Sequence, residues 1–111
     1  MTPNEVADRY FVCVRARDIE GLIGLYADDA TITLPDGSEV AGAPAIRTFQ
    51  EGVFARGAPF PTPGRRVISG DNVAVEIRAE LSDGRVRRTA NFFTVNGAGR
   101  IQRLSVYSQG S

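Results

Sequence analysis

The apolar residues of this chain change period part-way along it, and that change restricts the possible folds more than any single motif. Up to about residue 57 they recur at the three- and four-residue spacing of amphipathic helices, whereas from residue 73 onward they alternate as in half-buried strands. Helices first and a meander of long strands afterwards is an α+β pattern, with the helices packed on one face of a curved sheet.

The helical part divides into three. Thr2-Pro3-Asn4-Glu5 combines a capping threonine, a proline suited to the first helical position and a glutamate that closes a capping box. Val6, Tyr10, Cys13 and Val14 then fall on one side. Asp18 caps a second, shorter helix with the inward stripe Ile19, Leu22, Ile23 and Tyr26. After a strand over 30–34, stopped by Pro35-Asp36-Gly37, a third helix begins near Pro44 and carries Ile46, Phe49, Val53 and Phe54 inward. Arg47 and Glu51 form an exposed pair one turn apart. Gly57 and Pro59 end that helix, and Phe60-Pro61-Thr62-Pro63-Gly64 reads as a stiff loop.

Val73, Val75, Ile77 and Ala79 alternate with Glu76, Arg78 and Glu80, giving one apolar and one charged face. Ser82-Asp83-Gly84 and Asn96-Gly97-Ala98-Gly99 are hairpin turns that lead into strands over 86–95 and 101–108. The whole of 1–111 reads as a single domain.

Composition narrows the chemistry. The 13 basic and 13 acidic residues cancel, so no net field draws the chain to nucleic acid or an anionic membrane, and neither is an expected partner. With no histidine there is no His-based triad, no His general base and little scope for catalytic zinc. The lone Cys13 allows no intrachain disulfide and reads as a small buried hydrophobe. No glycine-rich phosphate loop follows a strand and no ligand cluster has metal spacing, so neither cofactor nor metal is expected. The N-terminal MTPNEVADRY lacks signal-peptide character, and a cytoplasmic location is expected.

Tyr26-Ala27-Asp28-Asp29-Ala30-Thr31 resembles the ketosteroid isomerase-like and SnoaL-like family of the nuclear transport factor 2-like superfamily. Arg9-Tyr10, Asp18-Ile19-Glu20, Gly42, Phe49, Val75-Glu76-Ile77 and Gly99-Arg100-Ile101-Gln102 extend the similarity in the right order over nearly the whole chain. The resemblance implies a cone-shaped, six-stranded, mostly antiparallel sheet wrapped around a central apolar pocket closed by three helices. It also implies a homodimer through the sheet's outer face, where Glu76, Arg78 and Arg88 would be either solvated charges or a polar contact.

Ketosteroid isomerases hold an enolate oxygen with a tyrosine and a protonated aspartate while a second aspartate carries the proton. The tyrosine position falls on Tyr10 and the second donor on Asn91, an amide that donates at any pH. The proton carrier's position, directly before the proline, is Leu34. The nearest carboxylates are Asp36 and Glu39 in the turn beyond; Asp36 is the least poor substitute base, although hydrogen-bonding its own Pro-Asp-Gly turn explains it better. Other activities in the family fit no better: dehydratase members use histidine, epoxide hydrolase members an Asp-Arg-Asp set, and cyclase members an acid or base in the cavity. Arg78 and Arg88 would serve only by facing inward, against strand parity.

The resulting expectation is a pocket for a small hydrophobic carbonyl- or phenol-like molecule, with Tyr10, Asn91 and Asp36 as candidate catalytic residues. Val14 (or Val12), Leu34, Phe49, Val53, Val75, Phe93, Leu104 and Val106 are the candidate walls. Whether the chain is an isomerase- or cyclase-type enzyme stays open, because two donors without a proton carrier supply electrostatics but no acid–base work. The alternative is a non-catalytic dimerisation or interaction module with a collapsed pocket.

Overall fold

The computed structural model describes residues 1–57 and 60–109 and shows three helices laid on a curved six-stranded sheet. Helix α1 (Pro3–Ala16) starts where the capping box predicts: Thr2 N–H donates to Glu5 at 2.8 Å and Glu5 N–H to Thr2 Oγ1 at 3.2 Å. Arg17 ends it in the left-handed conformation at φ 56°, its backbone N–H closing onto the last turn. Asp18 caps α2 (Ile19–Ile23) by accepting from Gly21 N–H at 2.9 Å. Helix α3 (Ala43–Ala55) ends in front of Gly57, whose φ of 76° favours glycine. Pro59, expected to help end it, lies outside the described residues.

The strands are β1 (Tyr26–Thr33), β2 (Glu39–Ala41), β3 (Phe60–Ser69), β4 (Asn72–Glu80), β5 (Val86–Val95) and β6 (Ile101–Ser108). They lie in the order β2-β1-β6-β5-β4-β3, antiparallel throughout except for the parallel β1–β6 pair. Helix α1 crosses β3, β4 and β5; α3 covers β1 and β2; α2 sits between the two helices.

Three expectations change. Tyr26 belongs to β1 rather than to the second helix, and β1 starts four residues earlier than alternation indicates. A break in its register between Tyr26 and Thr31 leaves Asp28 and Asp29 exposed side by side, which hides the strand's period. The proline-rich 60–64 segment is not a loop but the first half of β3. Pro61 and Pro63 pair with Ala79 and Ile77 on an edge strand, where a missing N–H on the outer side breaks no ladder. The three residues of β2 are too few for any period to register.

Facing residues of β4 and β5 hold the core. Val73, Val75, Phe93 and Val95 point inward beneath α1 with Val6, Phe11 and Ile101, all buried. Tyr10 meets Phe93 edge-on at 5.1 Å between ring centroids and Phe11 at 5.2 Å, fixing α1 against β5.

Candidate functional site

Farther along the same strands the inner face opens into a cavity of about 750 Å³. Its floor comes from Ile77 and Ala79 of β4, Thr89 and Asn91 of β5, and Leu104 and Val106 of β6. Phe49, Gln50 and Val53 of α3 form one wall, Phe11 and Val14 of α1 another, and Leu34-Pro35 after β1 a third. These residues converge because α1 lies across one half of the sheet and α3 hangs over the other. The side chains beneath the gap, Ala79 and Thr89, are too small to fill it.

The buried end of the cavity is polar. Asn91 is 5% exposed and Gln50 4%, the two buried polar side chains of the core region. Both interact with the Tyr10 hydroxyl. Burial pushes that phenol up to about 12, while the amides of Asn91 and Gln50 act in the opposite direction. Tyr10 is therefore a neutral donor at physiological pH, beside two amides that each carry N–H donors. The hydroxyl of Tyr26 lies deeper and has no hydrogen-bond partner among the described residues, although Gln50 is close enough to moderate the strong upward shift that burial gives it.

The outer end is charged. Arg56 follows α3, and Asp83, Arg85 and Arg87 come from the β4–β5 turn and the start of β5. Asp83 shapes that turn by accepting from Arg85 N–H at 2.9 Å, and its carboxylate pairs with Arg85 Nε at 2.6 Å. These interactions hold its pKa below the ordinary value.

The expected site residues divide accordingly. Tyr10, Asn91, Val14, Leu34, Phe49, Val53, Leu104 and Val106 all border the cavity. Val75 and Phe93 do not: both face inward, but α1 seals them into the core, with no exposed surface. Val12 points away and is 56% exposed. Asp36 is exposed and off the cavity wall, its Oδ1 accepting from Ser38 N–H at 2.9 Å and Ser38 Oγ at 2.6 Å. Both bonds favour the carboxylate and lower its pKa, so Asp36 serves the turn. Among the described residues the one carboxylate on the cavity wall is Asp83, already paired with Arg85.

Sequence reasoning passed over Gln50 and Arg87, although each carried a signal. Gln50 sits four residues after Ile46, a lone polar residue within the apolar stripe of α3. Arg87 shares strand parity with Thr89 and Asn91, unlike Arg78 and Arg88, which face each other across β4 and β5 on the outer side. Cys13 is buried and its thiol pKa is raised, chiefly by desolvation, which keeps it protonated and inert. Among the described residues no three acidic or cysteine side chains gather as a metal-ligand set, and no helix is long and apolar enough to cross a membrane.

Three helices over a curved, unclosed six-stranded sheet, with a cavity between them, define the nuclear transport factor 2-like architecture, and solved structures agree. A candidate ketosteroid isomerase from Kribbella flavida superposes with a TM-score of 0.85 at 20% identity, over 98% of this chain and 78% of the other. A candidate polyketide cyclase from Sinorhizobium meliloti gives 0.77 at 24%, over 92% and 93%. At these identities the likeness is one of fold. A Mycobacterium tuberculosis protein in complex with estradiol-17beta-hemisuccinate gives a TM-score of 0.79 at 28% identity, over 96% and 94%. The SnoaL-like domain model matches residues 7–104, and the chain belongs to that family.

Proposed function

We propose that the chain binds a small, flat, hydrophobic molecule through a carbonyl or phenolic oxygen, held at the buried end of the cavity by Tyr10, Asn91 and Gln50. The observation that carries this reading is a largely apolar cavity of about 750 Å³ with neutral donors converging at its closed end. That volume lies within the ~300–1,000 Å³ usual for small-molecule sites. It favours a binding role over an interaction module with a collapsed core. The M. tuberculosis relative with its steroid ester is in keeping with the same ligand class.

The donors would also stabilise an enolate oxygen, so an isomerase- or cyclase-type reaction is the second reading. It requires a proton carrier, and Leu34 occupies the place where ketosteroid isomerases have theirs. Asp36 would have to leave Ser38 to act, so the substrate's own acidic or basic group is the better source of proton transfer. We further infer a cytoplasmic homodimer through the outer sheet face, where Phe92 and Tyr107 are exposed beside Arg78 and Arg88. A monomer by sedimentation at micromolar concentration would overturn the dimer.

Fluorescence titration with an unsubstituted naphthol tests the main reading. Wild type should bind, and Tyr10→Phe and Asn91→Leu should each weaken binding about tenfold, the worth of one good hydrogen bond. No binding, or binding indifferent to both changes, refutes it.

A further inference from the structure

The charges around the cavity are distributed unlike those of the chain as a whole. The chain is neutral overall, yet the cavity lining carries Arg56, Arg85 and Arg87 against the single carboxylate of Asp83. Asp83 is spent on Arg85, leaving Arg56 and Arg87 with no hydrogen bond or ion pair from their side chains among the described residues. They come from different elements, Arg56 directly after α3 and Arg87 on β5, and both line the cavity. Arg56 also complements the carbonyl end of α3. Arg87 has no such structural role: its β4 neighbour in register is Ala79, and it lies on the same inward-facing side of β5 as Thr89 and Asn91. Nothing in the packing of the sheet calls for a guanidinium there.

Resting on the binding reading above, we propose that the mouth selects amphipathic ligands bearing a carboxylate at the end opposite their buried oxygen. The reasoning follows from the two ends of one cavity. At the closed end, neutral donors in a desolvated setting suit an uncharged carbonyl or phenol, whereas a charge there would lose its hydration. At the open end, two unpaired guanidinium groups offer planar, forked donors that match a carboxylate. Between them Val14, Leu34, Phe49, Val53, Leu104 and Val106 give only apolar contact, which sets no direction for a ligand. The anion supplies that direction, holding the uncharged oxygen inward toward Tyr10 and Asn91. Near the surface each pair is solvated, so the effect is one of preference and orientation and should fade with salt.

The test compares a naphthol that carries a butanoic acid arm at the ring end opposite its hydroxyl with the methyl ester of the same acid. Dissociation constants come from fluorescence titration of wild type, Arg56→Gln/Arg87→Gln and Tyr10→Phe at low and high salt. For wild type at low salt the acid should bind about tenfold more tightly than the ester, as expected for two exposed charge pairs acting together. That ratio should fall toward one in the double arginine variant and in high salt, and should survive in Tyr10→Phe, where both probes weaken together. A ratio near one in wild type, or one retained by the double variant, overturns the anionic preference while leaving the pocket reading intact. Failure of both probes to bind wild type overturns the two together.

Discussion

Strands β4 and β5 present two different inner faces on either side of Asn91. Toward one end Val73, Val75, Phe93 and Val95 lie under α1 and are packed to exclusion; toward the other Ile77, Ala79, Arg87 and Thr89 border open space. Backbone pairing is continuous through both halves, from Asn72↔Thr94 to Glu80↔Val86. What differs is what covers the strands, packed side chains at one end and a cavity at the other. In one half the inward side chains pack against the buried core residues of α1, while in the other Ile77, Ala79, Arg87 and Thr89 face the space between α1 and α3. A sheet can thus be a core and a binding floor at once, and a polar residue at the boundary, here Asn91, is buried by the first and available to the second.

The sharpest way to break this comparison is to exchange volume between the halves. Phe93→Ala should destabilise the protein by about 4 kcal/mol in denaturant unfolding, because the rings of Tyr10 and Phe11 lose their common partner and a cavity replaces it. Ala79→Phe adds volume where the structure has room, and should abolish naphthol binding at a cost well below that of Phe93→Ala. Equal stability losses in the two variants would mean that the open half is as tightly packed as the closed one.

Alkaline unfolding comes next in size. Burial raises the Tyr10 phenol from 10.0 to about 12 and pushes Tyr26 well above its ordinary value, whereas both ionise near that ordinary value once unfolded. Between those values the unfolded chain binds fewer protons than the folded one. Stability is therefore complete below pH 10 and declines as pH rises through 12, by roughly 3 kcal/mol for a two-unit shift at Tyr10. Unfolding curves measured across pH 9 to 12 should steepen there for wild type and flatten for Tyr10→Phe. An unchanged slope in the variant would place Tyr10 in contact with solvent.

The smallest effect concerns the unpartnered hydroxyl of Tyr26 beneath Gln50. Removing it in Tyr26→Phe should raise stability by about 1 kcal/mol, since a buried polar atom without a hydrogen bond is a cost. A loss of similar size would reveal a bound water or a rearranged Gln50 amide.

Most elements of this fold are legible from local chemistry. The capping box at Thr2, the Asp18 cap and the alternation of Val73, Val75, Ile77 and Ala79 depend on near neighbours in sequence, so the residues report them directly. The edge strand β3 was hidden because its prolines read as a loop until the sheet order places them at a rim. The site was legible only in part. Tyr10 and Asn91 stand out as polar residues on apolar faces, and Gln50 and Arg87 obey the same parities without drawing notice. Asp36 looked like a base because its turn follows Leu34 in sequence, yet that turn consumes its carboxylate.

By itself, then, the sequence determined the helix starts, the strand faces and the absence of histidine chemistry, since these depend on local propensity, period and composition. Only the tertiary structure decided which inward residues are core and which are wall. Val75 and Ile77 are two residues apart on the same face, yet Val75 is sealed into the core whereas Ile77 borders the cavity left where α1, over β3 to β5, and α3, over β1 and β2, diverge. That placement arises from packing between elements distant in the chain, and no local pattern encodes it.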